Sequence, residues 1–138
     1  MSKQKTPTRK RKNLEQRSGE PRRLVVFSLR YFDVSQGQRF SEWEAEQLLA
    51  LALERLRQVS NLTMGQAISD GIIKVYGNFP PSKKTEFTPP RYIPEGAKWA
   101  SCHIQGEEVI AGVVEDNIFH IVFLDKNHEF WKSKLKNT

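Results

Sequence analysis

The sequence predicts an α+β fold of order β-α-α-β-β-β, an antiparallel sheet with two helices on one face, behind a disordered basic N-terminal arm. Three observations lead there. Residues 24–31 carry one apolar face at period two, residues 41–59 carry a helical apolar period, and three strand-length segments joined by tight turns fill the last third. The 138 residues suit one domain, divided into an arm of residues 1–22 and a folded unit of residues 23–138.

The arm has almost nothing to bury. Leu14 is its only large aliphatic side chain after Met1, too little to offset the entropy of ordering the chain. The folded unit opens at Leu24, and Val25, Phe27, Leu29 and Tyr31 share one side at period two, as in a strand with one apolar face. Ser35-Gln36-Gly37-Gln38 then reads as a turn. Ser41 and Glu44 have the spacing of a capping box, in which hydroxyl and carboxylate satisfy the first free N–H groups of a helix. That helix is expected to run to about Val59, with Ala45, Leu48, Leu49, Ala52, Leu56 and Val59 as its core stripe and Leu51 and Leu53 widening it. Trp43, near the helix start, is expected to pack.

Thr63 and Gln66 repeat the capping spacing and predict a second, short helix that stops near Asp70-Gly71. Residues 78–94 follow, with Pro80-Pro81 and Pro89-Pro90 among them. Proline fixes φ and removes a donor, so this stretch should be an ordered, irregular surface loop. Its length makes it a candidate for partner or substrate contact. Residues 98–104, 107–114 and 118–124 then read as three strands of an antiparallel meander, turning at Gln105-Gly106 and at Glu115-Asp116-Asn117. The third is apolar on both faces and is expected to lie centrally.

Charge separates the two parts. Residues 1–23 hold nine Lys or Arg against Glu15 and Glu20, a net +7, whereas the other 115 residues hold 13 positive and 14 negative side chains. Arg9, Lys10, Arg11 and Lys12 are the densest cluster, and with Arg22 and Arg23 they are the nucleic-acid-binding candidates of the arm. The same run also reads as a solubilising tail. No apolar run reaches the roughly 18 residues of a membrane span. The first 12 residues lack the hydrophobic stretch of a secretory signal, so a cytoplasmic protein with no membrane contact is expected. A single cysteine, Cys102, permits no intrachain disulfide.

Several chemistries lack their motifs. The chain has no phosphate-binding Gly-rich loop, no Gly-x-Ser-x-Gly elbow and no zinc spacing, so neither metal nor cofactor is expected. Cys102 and His103 are strand neighbours whose side chains point to opposite faces, so they cannot form a nucleophile pair. His120, inside the most apolar segment, reads as a packed core histidine. The segment after the last strand does carry chemistry: Asp125, Lys126, His128 and Trp131 come together at the end of the sheet. Histidine moves protons near neutral pH, Asp125 or Glu129 would orient it, lysine stabilises a phosphate anion and tryptophan stacks on a base. These are the parts of metal-independent RNA cleavage. A second arrangement fits the same residues: Asp125-Lys126-Asn127 as a polar turn, with Phe130 and Trp131 folded back on the sheet.

The run from Asp116 to Trp131, with its Ile121-Val122, Phe123, Leu124-Asp125, His128 and Phe130-Trp131, resembles the C-terminal signature of a family of small, mostly uncharacterised prokaryotic proteins. That likeness covers the last 20 to 30 residues or so, and His120 stands where the signature has tyrosine. More broadly, the β-α-α-β-β-β order is similar to the RelE/ParE superfamily of toxin-antitoxin systems, many of whose members are ribosome-dependent mRNA endonucleases with a histidine and an aromatic residue near the C-terminus. The resemblance implies that His128 transfers the proton and that Lys126 and Arg91 or Arg39 contact phosphate. It also implies RNA or the ribosome as partner and a cognate antitoxin protein. The near-neutral folded unit, the proline loop and the basic arm depart from that pattern.

Overall fold

A computed structural model describes residues 23–132. Its elements, in chain order, are β1 (Val26–Ser28), α1 (Phe40–Ala45), α2 (Leu49–Val59), α3 (Met64–Ser69), β2 (Ile73–Gly77), a 3-10 turn (Ser82–Lys84), β3 (Lys98–Gln105), β4 (Glu108–Glu115) and β5 (Ile118–Asp125). The fold is α+β, and one five-stranded sheet of order β1-β5-β4-β3-β2 forms its middle layer. The meander β3-β4-β5 is antiparallel as expected. The sheet as a whole is mixed, because β1 lies parallel to β5, with Val26 opposite Ile118. The segment from β1 to β5 carries the helices and most of the sheet, long enough for the crossover that parallel pairing requires.

Three further departures have local causes. The expected long helix is two helices, broken where Gln47 adopts φ 63°. The first starts two residues earlier than the Ser41 spacing implies: Arg39 is the N-cap, and its backbone N–H donates to Glu42 Oε1 at 2.7 Å. Leu48, Leu49, Ala52, Leu56 and Val59 pack on the core as the stripe implies, whereas Ala45 is exposed, and Leu51 and Leu53 stay exposed and do not widen it. The Thr63 box forms as expected, with Gln66 N donating to Thr63 Oγ1 at 3.1 Å and Thr63 N to Gln66 Oε1 at 2.9 Å. Residues 73–77, for which no element is expected above, add the edge strand β2. β1 is shorter than its alternation implies, and Leu29 beyond its end is exposed. β5 is buried along almost its whole length, one place in from the edge, with β4 at the sheet's centre.

The sheet's two faces are covered differently. The helix face buries Trp43, Ala52, Val59 and Ala67 against Ile73, Cys102, Ile110, Phe119 and Ile121. The opposite face is covered by the proline-rich loop and the chain after β5, which bring Phe87, Ile93 and Phe130 onto Trp99, Ala111, Val122 and Phe123. A bulge between Ala111 and Gly112 places Val122 and Phe123, consecutive in sequence, on this same loop face. Gly112 is required there, since a Cβ would lie 2.0 Å from the His120 carbonyl oxygen. Among the described residues no helix is long and apolar enough to cross a membrane.

Candidate functional site

At the β2–β3 edge the loop-face cover stops short and leaves a cleft. Alternation along the strands decides its floor. Ile73, Cys102 and Ile104 point into the helix-side core. Lys74 and Tyr76 of β2, and Ser101 and His103 of β3, therefore take the other face and line the cleft together with Val109 of β4. Pairing puts Lys74 opposite Ser101 and His103 opposite Val109. Lys84 of the 3-10 turn and His128 and Trp131 of the C-terminal segment form the walls. The cavity measures about 590 Å3. Lys74 and Lys84 line it together with His103 and His128, with no carboxylate among the lining residues.

Aromatic contacts shape one side. Trp131 stacks on Tyr76 with ring centroids 4.3 Å apart and planes within 6°, and Lys74 Nζ sits 5.3 Å from the Tyr76 centroid. The Tyr76 hydroxyl is 3.3 Å from Ser101 Oγ. Among the described residues, Lys74 and Lys84 have no carboxylate within ion-pair distance, so their charge is available to the cleft.

The four residues singled out after β5 have separate roles. Asp125 is 1% exposed and lies beneath the segment. Its two oxygens accept the backbone N–H groups of Glu129 at 2.9 Å and Phe130 at 2.8 Å. Burial pushes its carboxyl above the ordinary range, against the opposing pull of those two donors and of His128. Asp125 therefore fixes the turn that presents His128. The turn carries His128 at φ 58°, a left-handed conformation that asparagine also tolerates. Lys126 points elsewhere, its Nζ 2.8 Å from both oxygens of Glu46, while its backbone N–H donates to Gln38 Oε1. Trp131 shares the cleft with His128. Phe130 and Trp131 are folded back on the sheet, as the second arrangement expects, and His128 and Trp131 also line the cleft.

Arg39 caps α1 and Arg91 is exposed on the proline-rich loop, and neither lines the cleft. Arg23 is exposed beside β1, while Arg9, Lys10, Arg11, Lys12 and Arg22 lie outside the described residues. Lys74, Tyr76, Lys84, Ser101 and His103 were not anticipated. One signal for two of them was present: Ile72-Ile73-Lys74-Val75-Tyr76 alternates at period two and puts Lys74 and Tyr76 on one side. His103 shares parity with Ser101 and Trp99, which separates it from Cys102 as the sequence required. Cys102 lies on the helix side, and burial pushes its thiol up to about 12 despite Arg55 nearby, far from a reactive thiolate. His120 is buried as expected, and its Nε2 lies 3.0 Å from Glu115 Oε1. Among the described residues no three His, Cys, Asp or Glu side chains are grouped so as to hold a metal ion.

No protein-family model, no curated protein sequence and no solved structure matches this chain. The site must be read from its own chemistry.

Proposed function

We propose that the β2–β3 cleft binds single-stranded RNA and cleaves its backbone without a metal, and that the protein acts as a toxin of the RelE-like kind. The observation that carries this reading is one cleft collecting two histidines, two lysines and an aromatic stack, with no carboxylate in its lining. Each part has a task. One imidazole takes the proton of a 2′-hydroxyl as its oxygen attacks the adjacent phosphorus. The other gives a proton to the departing 5′-oxygen, leaving a 2′,3′-cyclic phosphate and a 5′-hydroxyl. Lys74 and Lys84 stabilise the extra negative charge that builds on the phosphoryl oxygens. The Trp131–Tyr76 stack offers a π-face to a base. His128 stands at the cleft wall and His103 on its floor. The RelE/ParE likeness adds the ribosome as the setting and a cognate antitoxin as the natural inhibitor.

The test incubates the purified chain with a single-stranded RNA and with its all-deoxy counterpart, in chelator. Cleavage of RNA alone, with cyclic-phosphate ends, is expected. His128→Asn, which keeps the left-handed backbone, and His103→Asn should each slow cleavage by about 100-fold or more while binding persists. In a bacterial host, induction of the parent should arrest growth and His128→Asn should relieve the arrest. Undiminished cleavage by both variants would remove the assignment.

A second reading rests on the separate charge of the arm: binding of nucleic acid or an acidic protein without catalysis. The surplus of seven positive charges in residues 1–23 favours it. It predicts RNA left intact, and affinity that falls steeply with salt and collapses when Arg9, Lys10, Arg11 and Lys12 become serine.

A further inference from the structure

Tyr76 sits where the parts of the cleft meet. It is the extra residue of a bulge in β2: Val75 pairs with Ala100 and Gly77 with Trp99, so Tyr76 has no partner on β3. Gly77 closes the bulge at φ 93°, a conformation that suits glycine. Bulges re-aim the side chains they carry, and they are common at sheet edges and beside active sites.

Three ties converge on the re-aimed side chain. Its ring stacks on Trp131 at 4.3 Å, and the Lys74 ammonium lies 5.3 Å from its centroid. Its hydroxyl makes a long hydrogen bond, 3.3 Å, with Oγ of Ser101, which is only 8% exposed. Lys74 and Ser101 also stand opposite each other across the β2–β3 pair. Aromatic platform, free cation and buried hydroxyl are therefore all referred to one residue.

Two hydroxyls that share one hydrogen leave the other hydrogen over. Phenol is a stronger acid than an alcohol and so the better donor. The Tyr76 O–H accordingly donates to Ser101 Oγ, and the Ser101 O–H is the one left over. Neither hydroxyl has a further hydrogen bond among the described residues, and no carboxylate lines the cleft to accept it. An acceptor on a bound ligand fits that place.

We propose that Tyr76 is the positioning residue of the cleft, and that through it Ser101 becomes a hydrogen-bond donor to the phosphoryl oxygen of the scissile linkage. The ring sets Trp131 and Lys74, and the phenol sets the direction of the Ser101 O–H. The inference rests on the RNA-cleaving reading and adds a neutral donor to the two lysines. A donor already oriented needs no reorganisation as charge builds on the oxygen.

The full chain is compared with Tyr76→Phe, Ser101→Ala, Tyr76→Leu and the double variant of Tyr76→Phe with Ser101→Ala. Cleavage is followed on a short single-stranded RNA in chelator, and binding alone on its all-deoxy counterpart. Ser101→Ala should lower kcat about 100-fold at unchanged KM. Tyr76→Phe keeps the ring and should lower kcat about tenfold, again at unchanged KM. The double variant should match Ser101→Ala, because the phenol acts through that serine. Tyr76→Leu removes the ring and should also weaken binding of the deoxy strand about tenfold.

A purely structural tyrosine would lower thermal stability without separating kcat from KM. Parent kcat in Tyr76→Phe, or a double variant about tenfold slower than Ser101→Ala, would overturn the inference and leave the RNA-cleaving reading standing. Parent affinity for the deoxy strand in Tyr76→Leu would remove the role of the ring. A parent that binds the deoxy strand but cleaves no RNA would remove the reading itself, and the Ser101 donor with it. Should Tyr76→Leu not fold, the other three variants decide.

Discussion

The sheet's two faces are built by different means. The helix face is largely aliphatic, with Trp43 and Phe119 among its buried side chains, and is covered by elements with a regular period. The loop face is aromatic, covered by irregular chain, and held by contacts between residues far apart. Phe130 alone meets the rings of Tyr76, Phe79, Phe87, Trp99 and Phe123, with centroids 5.5 to 6.2 Å apart. Backbone bonds tie the same cover down, Glu86 N donating to Glu129 O and Lys132 N to Lys84 O. A layer with no regular hydrogen-bond ladder of its own relies on large rings and a few anchors. The cleft lies where that irregular layer ends, so its walls depend on those anchors.

The largest expected effect breaks the aromatic layer. Phe130→Ala should cost about 3–5 kcal/mol in chemical denaturation. Ile73→Val on the helix face should cost about 1 kcal/mol. Fluorescence separates the faces, since Trp99 belongs to the loop side and Trp43 to the helix side. Loss of the loop-side signal before global unfolding would show that the irregular layer opens on its own. Equal costs for the two variants would erase the contrast.

Gly112→Ala comes next, at about 3 kcal/mol, because the new Cβ meets backbone rather than a side chain that can swing away. It strains the bulge that puts Val122 and Phe123 on one face. An unchanged melting temperature would show that the bulge is dispensable.

Asp125→Asn follows, at about 1–2 kcal/mol, since the amide keeps one acceptor where the carboxylate offered two. Its pH dependence has a definite sign. The folded carboxyl is raised above 3.8, so the native chain keeps a proton that the unfolded chain has released. Asp125 therefore favours the fold most on the acid side, and that contribution is lost as pH rises through the folded value. Parent minus variant stability, measured from pH 4 upward, should fall through that window. A rising difference would reverse the assignment.

Lys126→Ala should have the smallest effect, about 0.5 kcal/mol or less, for loss of a half-exposed pair with Glu46. It should leave RNA cleavage unchanged, in contrast to Lys84→Ala. A large activity loss in Lys126→Ala would return that lysine to the site.

Legibility followed range. The Thr63 cap and the three meander strands rest on neighbours within a few positions, and both formed as read. Leu51 and Leu53 show where apolar type alone misleads: each lies about 100° around α2 from Ala52, outside the arc that the sheet covers. His128 and Trp131 were legible as residue types suited to the chemistry. Lys84 was not, because its place opposite them is fixed by the Lys132 and Glu129 backbone contacts across more than 40 positions.

By itself the sequence determined the class of fold, the meander, the Thr63 cap, the separation of charge into the arm, and the burial of Trp43 and His120. Tertiary structure alone decided the parallel placement of β1, the recruitment of β2, the aromatic cover and the membership of the cleft. Hydrophobic period and capping act through adjacent residues and leave a local pattern. Strand order and ring packing are settled by the whole chain competing for the same buried surface, and no short window records the outcome.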